Sequence, residues 1–217
     1  MEPYSLEVLR SLALHCQGLD RHEHAGVPPD SQAISDAVKR VGWVQIDTLQ
    51  MVQRSQYLAM WSRLGNYDTS EFDKLVFGDG STSESNERQM FEYWMHAACI
   101  IPLSEYRYRL PVMKDHQDGS VGWRRKWAEQ PENMKLVKEV LGFVEKNGAK
   151  RSADFENSEK RRGPWWDWKP AKRALEHLYN SGELAIANRL KFQRVYDVPK
   201  RVIPSWVDTS IPDRREA

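Results

Sequence analysis

Gln45 and Asp47 stand two apart in the run Trp43-Val44-Gln45-Ile46-Asp47. If the run is extended, the spacing has a chemical meaning, because residues i and i+2 of a strand share one face. Val44 and Ile46 then face a core, and Gln45 and Asp47 face outward together. A carboxylate beside an amide suits hydrolysis of a glycosidic or ester bond. The acid stabilises a developing cation and deprotonates water, and the amide holds that water without adding charge. The residues alone leave a second reading open, in which the alternation belongs to an ordinary half-buried strand.

Other reactive side chains carry less. His22 and His24 in Arg21-His22-Glu23-His24, with His15 and Cys16 nearby, are metal-capable. Their spacing is not His-Glu-x-x-His and no second ligand cluster follows, so a polar loop is expected, with no metal and no cofactor. Phe77-Gly78-Asp79-Gly80-Ser81 lacks the following lysine of a phosphate loop. Cys16 and Cys99 lie in apolar helical stripes and read as core. His96 is flanked by apolar residues and reads either as a hydrogen-bonded core histidine or as a site residue. Arg54, Tyr57 and His96 are the candidates for lining a cleft near the Gln45 run.

Charge is distributed unevenly. Net charge is +1, yet residues 121–175 hold fourteen basic and eight acidic side chains, a local +6. A polyanion would meet this block first. It contains Arg161 and Arg162 in a loop and Lys169, Lys172 and Arg173 at the start of a helix, where they can contact phosphates. Trp165, Trp166 and Trp168 beside them could stack on bases or pack a core.

The elements that must position these residues follow from periodicity. Leu6, Leu9, Leu12, Ala13 and Cys16 predict a helix over 5–17. Asp30 or Ser31 caps a second helix, to about Val41. A short strand over 43–47 and a helix over 54–64 follow, then a turn into a short helix and a polar loop over 78–87. Residues 91–103 are strongly apolar and expected to be buried; residues 107–123 read as an irregular linker. Met134, Val137, Val140, Leu141 and Val144 mark another helix. A short helix near 151–155, a helix over 169–181 and two strands around a turn in 182–198 complete the series. Helix, short helix, helix and ribbon is the winged-helix order. Residues 5–50 have a similar rhythm. The expected fold class is therefore mainly α with short β-wings, as tandem winged helices. The first domain spans 1–120, the second 121–204, and residues 205–217 form a tail.

Three blocks carry a family resemblance: VGWVQIDTLQMVQRSQYLAMWSRLGNYD, FEYWMHAACIIPL, and WWDWKPAKRALEHLYNSGELAIANRLKFQRVYDVPKRVIP. Their order and content resemble the AlkZ-like, YcaQ-type winged-helix DNA glycosylases. The resemblance implies tandem winged helices that cradle DNA, followed by a further winged helix and a β-barrel. It implies excision of N7-alkylated guanine and unhooking of interstrand crosslinks. Gln45-Ile46-Asp47 matches the Gln–aliphatic–Asp signature of the YcaQ branch, with Gln45 and Asp47 as catalytic residues. The implied partner is double-stranded DNA carrying alkylated guanine. The further winged helix and barrel would follow residue 217, so the chain is expected to be a fragment or a short form. A non-catalytic winged-helix DNA-binding protein, truncated or repurposed, is the alternative function.

Composition bounds these readings. Nine Trp, eight Tyr and six Phe in 217 residues supply ample core, which excludes a disordered chain. No apolar run reaches the roughly 18 residues that span a bilayer. The N-terminus lacks the pattern of a signal peptide. Two cysteines make no disulfide framework, so the expected setting is the cytoplasm, at the nucleoid if the source is bacterial.

Overall fold

The structure is a computed structural model that describes residues 4–20, 28–79, 87–119, 127, 130–155, 169–213 and 215. These fall into two compact units, one formed by 4–79 with 87–103 and the other by residues from 104 onward. In order, the first unit contains α1 (Leu6–Cys16), α2 (Ser31–Val41), β1 (Val44–Gln45), α3 (Ser55–Leu64), α4 (Thr69–Phe77), β2 (Met90–Trp94) and β3 (Ala98–Pro102).

Local chemistry starts these helices. Ser5 accepts a hydrogen bond from Val8 N at 3.2 Å, Asp30 from Ala33 N at 2.8 Å and Asp68 from Ser70 N at 2.8 Å. Each satisfies a backbone donor that the first helical turn leaves without a partner. Ile34 and Val38 of α2, Met60 of α3, and Phe72 and Val76 of α4 are fully buried against the sheet residues Met90, Ile100 and Ile101. The antiparallel sheet has the order β1-β3-β2. Residues 31–103 thus run helix, strand, two helices and a ribbon whose second strand pairs with the first strand.

Two expectations change here. Residues 91–103 are a β-hairpin rather than only a buried apolar run. Both faces of β2 and β3 are largely covered, so the polar alternation that marks a half-exposed strand is missing. The stripe assigned to α1 is not a buried face, since α1 buries none of its side chains. Its hold on the unit is polar and lies at its C-terminal end: Arg40 donates to the carbonyls of His15 and Cys16, and Arg63 Nε donates to Gln17 O at 2.9 Å. Cys16 is exposed for this reason. Cys99 is buried, but on β3 rather than on a helix.

The second unit opens with 3-10 turns over Leu103–Arg109, followed by α5 (Leu110–Gln117). Residues 107–117 of the segment read as an irregular linker are thus helical, and residues 120–123 of it lie outside the described residues. Pro111 is tolerated in its first turn, and Met113 anchors it in the core. Then come α6 (Pro131–Asn147), a 3-10 turn (Ser152–Phe155), α7 (Lys169–Asn180), β4 (Ala185–Leu190), β5 (Gln193–Asp197) and α8 (Pro199–Val202). Val137, Val140 and Val144 of α6 and Leu175, Leu178 and Tyr179 of α7 form its core with Ile186, Val195 and Tyr196. Lys150 exchanges backbone hydrogen bonds with Tyr196 at 2.9 and 2.8 Å. That bridge adds a third, one-residue strand to the β4–β5 ribbon. The order repeats that of the first unit, so the chain is mainly α with small antiparallel wings.

Arg201 closes the C-terminal end of α6. It pairs with Asp197 at 2.5 Å and donates to Val144 O at 2.9 Å and Glu145 O at 3.2 Å. One guanidinium thus ties α8 to two carbonyls of the last turn of α6, of which Val144 O also accepts from Gly148 N at 2.9 Å.

Candidate active site

The site forms where β1 meets the tip of the β2–β3 hairpin. Val44 pairs with Ile100 and Gln45 with Cys99. Ile46 N then donates to Ala98 O at 2.8 Å, so β1 runs to the first residue of β3. The three-residue turn 95–97, closed between Trp94 and Ala98, therefore lies beside Gln45 to Asp47.

Exposure along the run follows a period of two. Trp43 is 44% exposed, Val44 3% and Ile46 8%. Gln45 is exposed and Asp47 partly exposed. The buried aliphatics hold the backbone and leave amide and carboxylate on the solvent side.

Hydrogen bonds fasten this backbone to the start of α3. Asp47 N donates to Ser55 Oγ at 3.1 Å, and Ser55 Oγ donates to Gln45 O at 3.1 Å. Asp47 Oδ1 accepts from Leu49 N at 2.9 Å, closing a local turn. Arg54 Nη1 donates to Thr48 O at 3.3 Å and steadies the loop after Asp47. His96 is exposed on the hairpin turn, not in the core, and its Nε2 lies 3.1 Å from Gln45 Oε1. With the Gln45 oxygen as acceptor, it is the Nε2–H tautomer that makes this bond. Among the described residues, Asp47 Oδ2 and Gln45 Nε2 have no hydrogen-bond partner and are available to a water or a substrate.

Tyr57 belongs to a different arrangement. Its hydroxyl donates to both oxygens of Asp73 on α4, at 2.7 and 3.0 Å. Burial pushes the Tyr57 phenol well above its ordinary range, and the Asp73 carboxylate adds to the shift. Burial also raises the Asp73 carboxyl, opposed by the hydrogen bond from Tyr57. This pair joins α3 to α4, so the Tyr57 hydroxyl is not offered to a cleft.

In the second unit, Lys172 and Arg173 are exposed on α7, opposite its buried residues Ala174, Leu175 and Leu178. Lys169 opens the same helix. Arg161, Arg162, His22, His24 and the three tryptophans at 165, 166 and 168 lie outside the described residues. No group of three or more potential metal ligands occurs among the described residues. No helix among them is long and apolar enough to cross a membrane.

Sequence reasoning placed no role on Trp43 or Ser55. Trp43 shares the period of two with Gln45 and Asp47, a signal that was present. Ser55 had none, because its contact with the strand depends on how the loop 48–54 folds back.

Comparisons with known proteins bear on the family and the fold. The chain is similar to the solved structure of Streptomyces sahachiroi DNA glycosylase AlkZ, with a TM-score of 0.56 and 17% sequence identity over 99% of this chain and 54% of that one. At that identity the likeness speaks to the fold, and the chain spans about half the length of that relative. A family model described as DNA glycosylase AlkZ-like matches residues 38–217, a span that begins on α2 and takes in the Gln45-Ile46-Asp47 run, the rest of the first unit and the second unit. With so much of its length matched, the chain belongs to the AlkZ-like DNA glycosylase family.

Proposed function

We propose that this chain hydrolyses the N-glycosidic bond of N7-alkylated guanine in double-stranded DNA, with Gln45 and Asp47 as its catalytic residues. The observation that carries the reading is the pairing of an unengaged carboxylate oxygen with a fixed amide on one exposed side of an extended run.

The chemistry asks little of a general acid. Alkylation at N7 puts a positive charge on the base, which then leaves as a neutral purine with the bonding electrons. The sugar becomes oxocarbenium-like. Asp47 stabilises that cation and takes a proton from the attacking water; Gln45 holds the water through its carboxamide. The product is an abasic site with the hydroxyl supplied by water. The same chemistry extends to interstrand crosslinks joined through N7, because the leaving group is again a cationic purine.

Lys172 and Arg173 are proposed to contact backbone phosphates, in register with the family's DNA substrate. An enzyme of this kind works in the cytoplasm, at the nucleoid in a bacterium.

The test is single-turnover base release from a duplex with one N7-methylguanine. Asp47→Asn is expected to lower the rate by about 10²–10⁴-fold, with duplex affinity within about twofold because phosphate contacts lie elsewhere. Release at the parent rate would overturn the assignment. A parent chain that binds the duplex yet frees no base would favour a non-catalytic binding protein.

A further inference from the structure

We propose that the exposed rings of Trp43 and His96 serve lesion recognition and catalysis: the indole attracts the cationic purine, and the imidazole positions Gln45, which holds the attacking water. The inference rests on the glycosylase reading above and assigns recognition and orientation to two residues outside the catalytic pair.

An exposed tryptophan by itself means little, since scattered apolar side chains are normal on a surface. Trp43 differs in its surroundings. It precedes Gln45 by two residues and Asp47 by four on one extended run, so all three share a side. The four residue steps from Trp43 to Asp47 span about 13 Å of strand, a gap that the reach of the indole and one nucleoside close together. One nucleotide can therefore lie against the indole while its glycosidic bond is at the carboxylate. The Trp43 and His96 rings are 6.5 Å apart between centroids and inclined by 55°. His96 in turn bonds Gln45 Oε1 at 3.1 Å. Indole, imidazole and amide thus form a continuous chain, drawn from β1 and the hairpin turn.

The two rings do different chemistry. An indole face is electron-rich and attracts a cation within about 6 Å of its centroid. N7-alkylguanine carries that cation, whereas unmodified guanine offers only stacking. As the bond breaks, the charge leaves the base for the sugar, so the indole stabilises the bound lesion more than the transition state. Trp43 therefore acts on lesion affinity, and its loss does not lower the maximal rate. His96 touches Gln45 rather than substrate. It is a positioning residue, and its loss frees the amide that orients water, which lowers the maximal rate.

The experiment uses the full chain on duplexes with and without one N7-methylguanine, with urea midpoints confirming that each variant is folded. Affinities are read in the Asp47→Asn background, so that turnover does not intrude. Trp43→Leu should weaken lesion binding by about 2- to 30-fold, weaken undamaged-duplex binding less, and leave a maximal excision rate no lower than that of the otherwise unaltered chain. Trp43→Phe should fall between Leu and parent. His96→Ala should lower the maximal rate by about 10- to 100-fold at unchanged lesion affinity. His96→Gln, which restores an N–H donor at similar reach, should recover most of it.

Equal weakening on both duplexes, or none on either, overturns the role of Trp43. A His96→Gln variant as slow as His96→Ala overturns the positioning role. The glycosylase reading fails separately, when Asp47→Asn excises at the parent rate. The lesion-to-undamaged affinity ratio still decides on Trp43 in that case.

Discussion

At the scale of single residues, Asp73 shows how a carboxylate is held inside the first unit without a cation as its closest partner. Tyr57 donates to both its oxygens. Burial nonetheless raises its pKa above the ordinary 3.8. The sign of the linkage follows. A group that binds its proton more tightly in the folded state contributes stability that is complete below the unfolded value and is lost as pH rises through the folded one. The Asp73→Asn variant keeps an acceptor for Tyr57 and does not titrate. Urea unfolding from about pH 4 to about pH 7 should therefore show the parent losing stability relative to the variant as pH rises. A constant difference across that window would show that Asp73 ionises equally easily folded and unfolded.

At the scale of elements, the second wing turns on strained residues. Leu190 pairs with Gln193, which leaves Lys191 and Phe192 as a two-residue turn with φ of 48° and 69°. Tight hairpins of this form want a positive φ at both positions, and asparagine followed by glycine meets that need best. Lysine and phenylalanine are disfavoured there by Cβ sterics. Phe192 is compensated: its carbonyl accepts from Arg189 Nη1 at 2.8 Å, and the Arg189 guanidinium lies 4.3 Å from its ring centroid. No such contact is recorded for Lys191 among the described residues. Lys191→Asn is expected to raise unfolding stability by about 0.5–1 kcal/mol, measured as a higher urea midpoint at unchanged slope. A lower midpoint would mean that the lysine has a stabilising partner.

At the scale of the whole chain, a near-zero net charge conceals a division of labour. The local excess over 121–175 lies in the second unit, whereas Gln45 and Asp47 lie in the first. Lys172 and Arg173 project from α7 away from its apolar face. If each contacts one phosphate, their joint removal lowers the salt dependence of duplex binding by about two units, equally for damaged and undamaged DNA. Lys172→Ala with Arg173→Ala should show this in affinities measured across a salt series. Unchanged affinity and slope would make α7 a structural helix only. The excision rate at saturating DNA should stay near that of the parent, because neither side chain belongs to the proposed catalytic pair.

The local signals in the chain were enough for most helices and for one side of the site. Ser5, Asp30 and Asp68 cap helices through bonds to residues two or three positions away, and such short-range chemistry is written in the sequence itself. The alternation Trp43 to Asp47 was legible for the same reason, since a strand's period of two needs no knowledge of its partner. The turn Gly148 onward, the α7 stripe and the second ribbon were readable on the same terms. What the alternation left undecided was the company of Gln45. His96 is 51 positions away, and it arrives because β3 pairs with β1 in the register Gln45 to Cys99. Nothing near His96 encodes that register: β2 and β3 are largely covered on both faces, with even Glu92 buried, so the pattern marked burial without marking a strand. Likewise the exposure of α1 depends on which elements lie against it, not on its own periodic leucines. Periodicity determined where side chains point along each element, and the long-range hydrogen bonding of the sheet decided which of them meet.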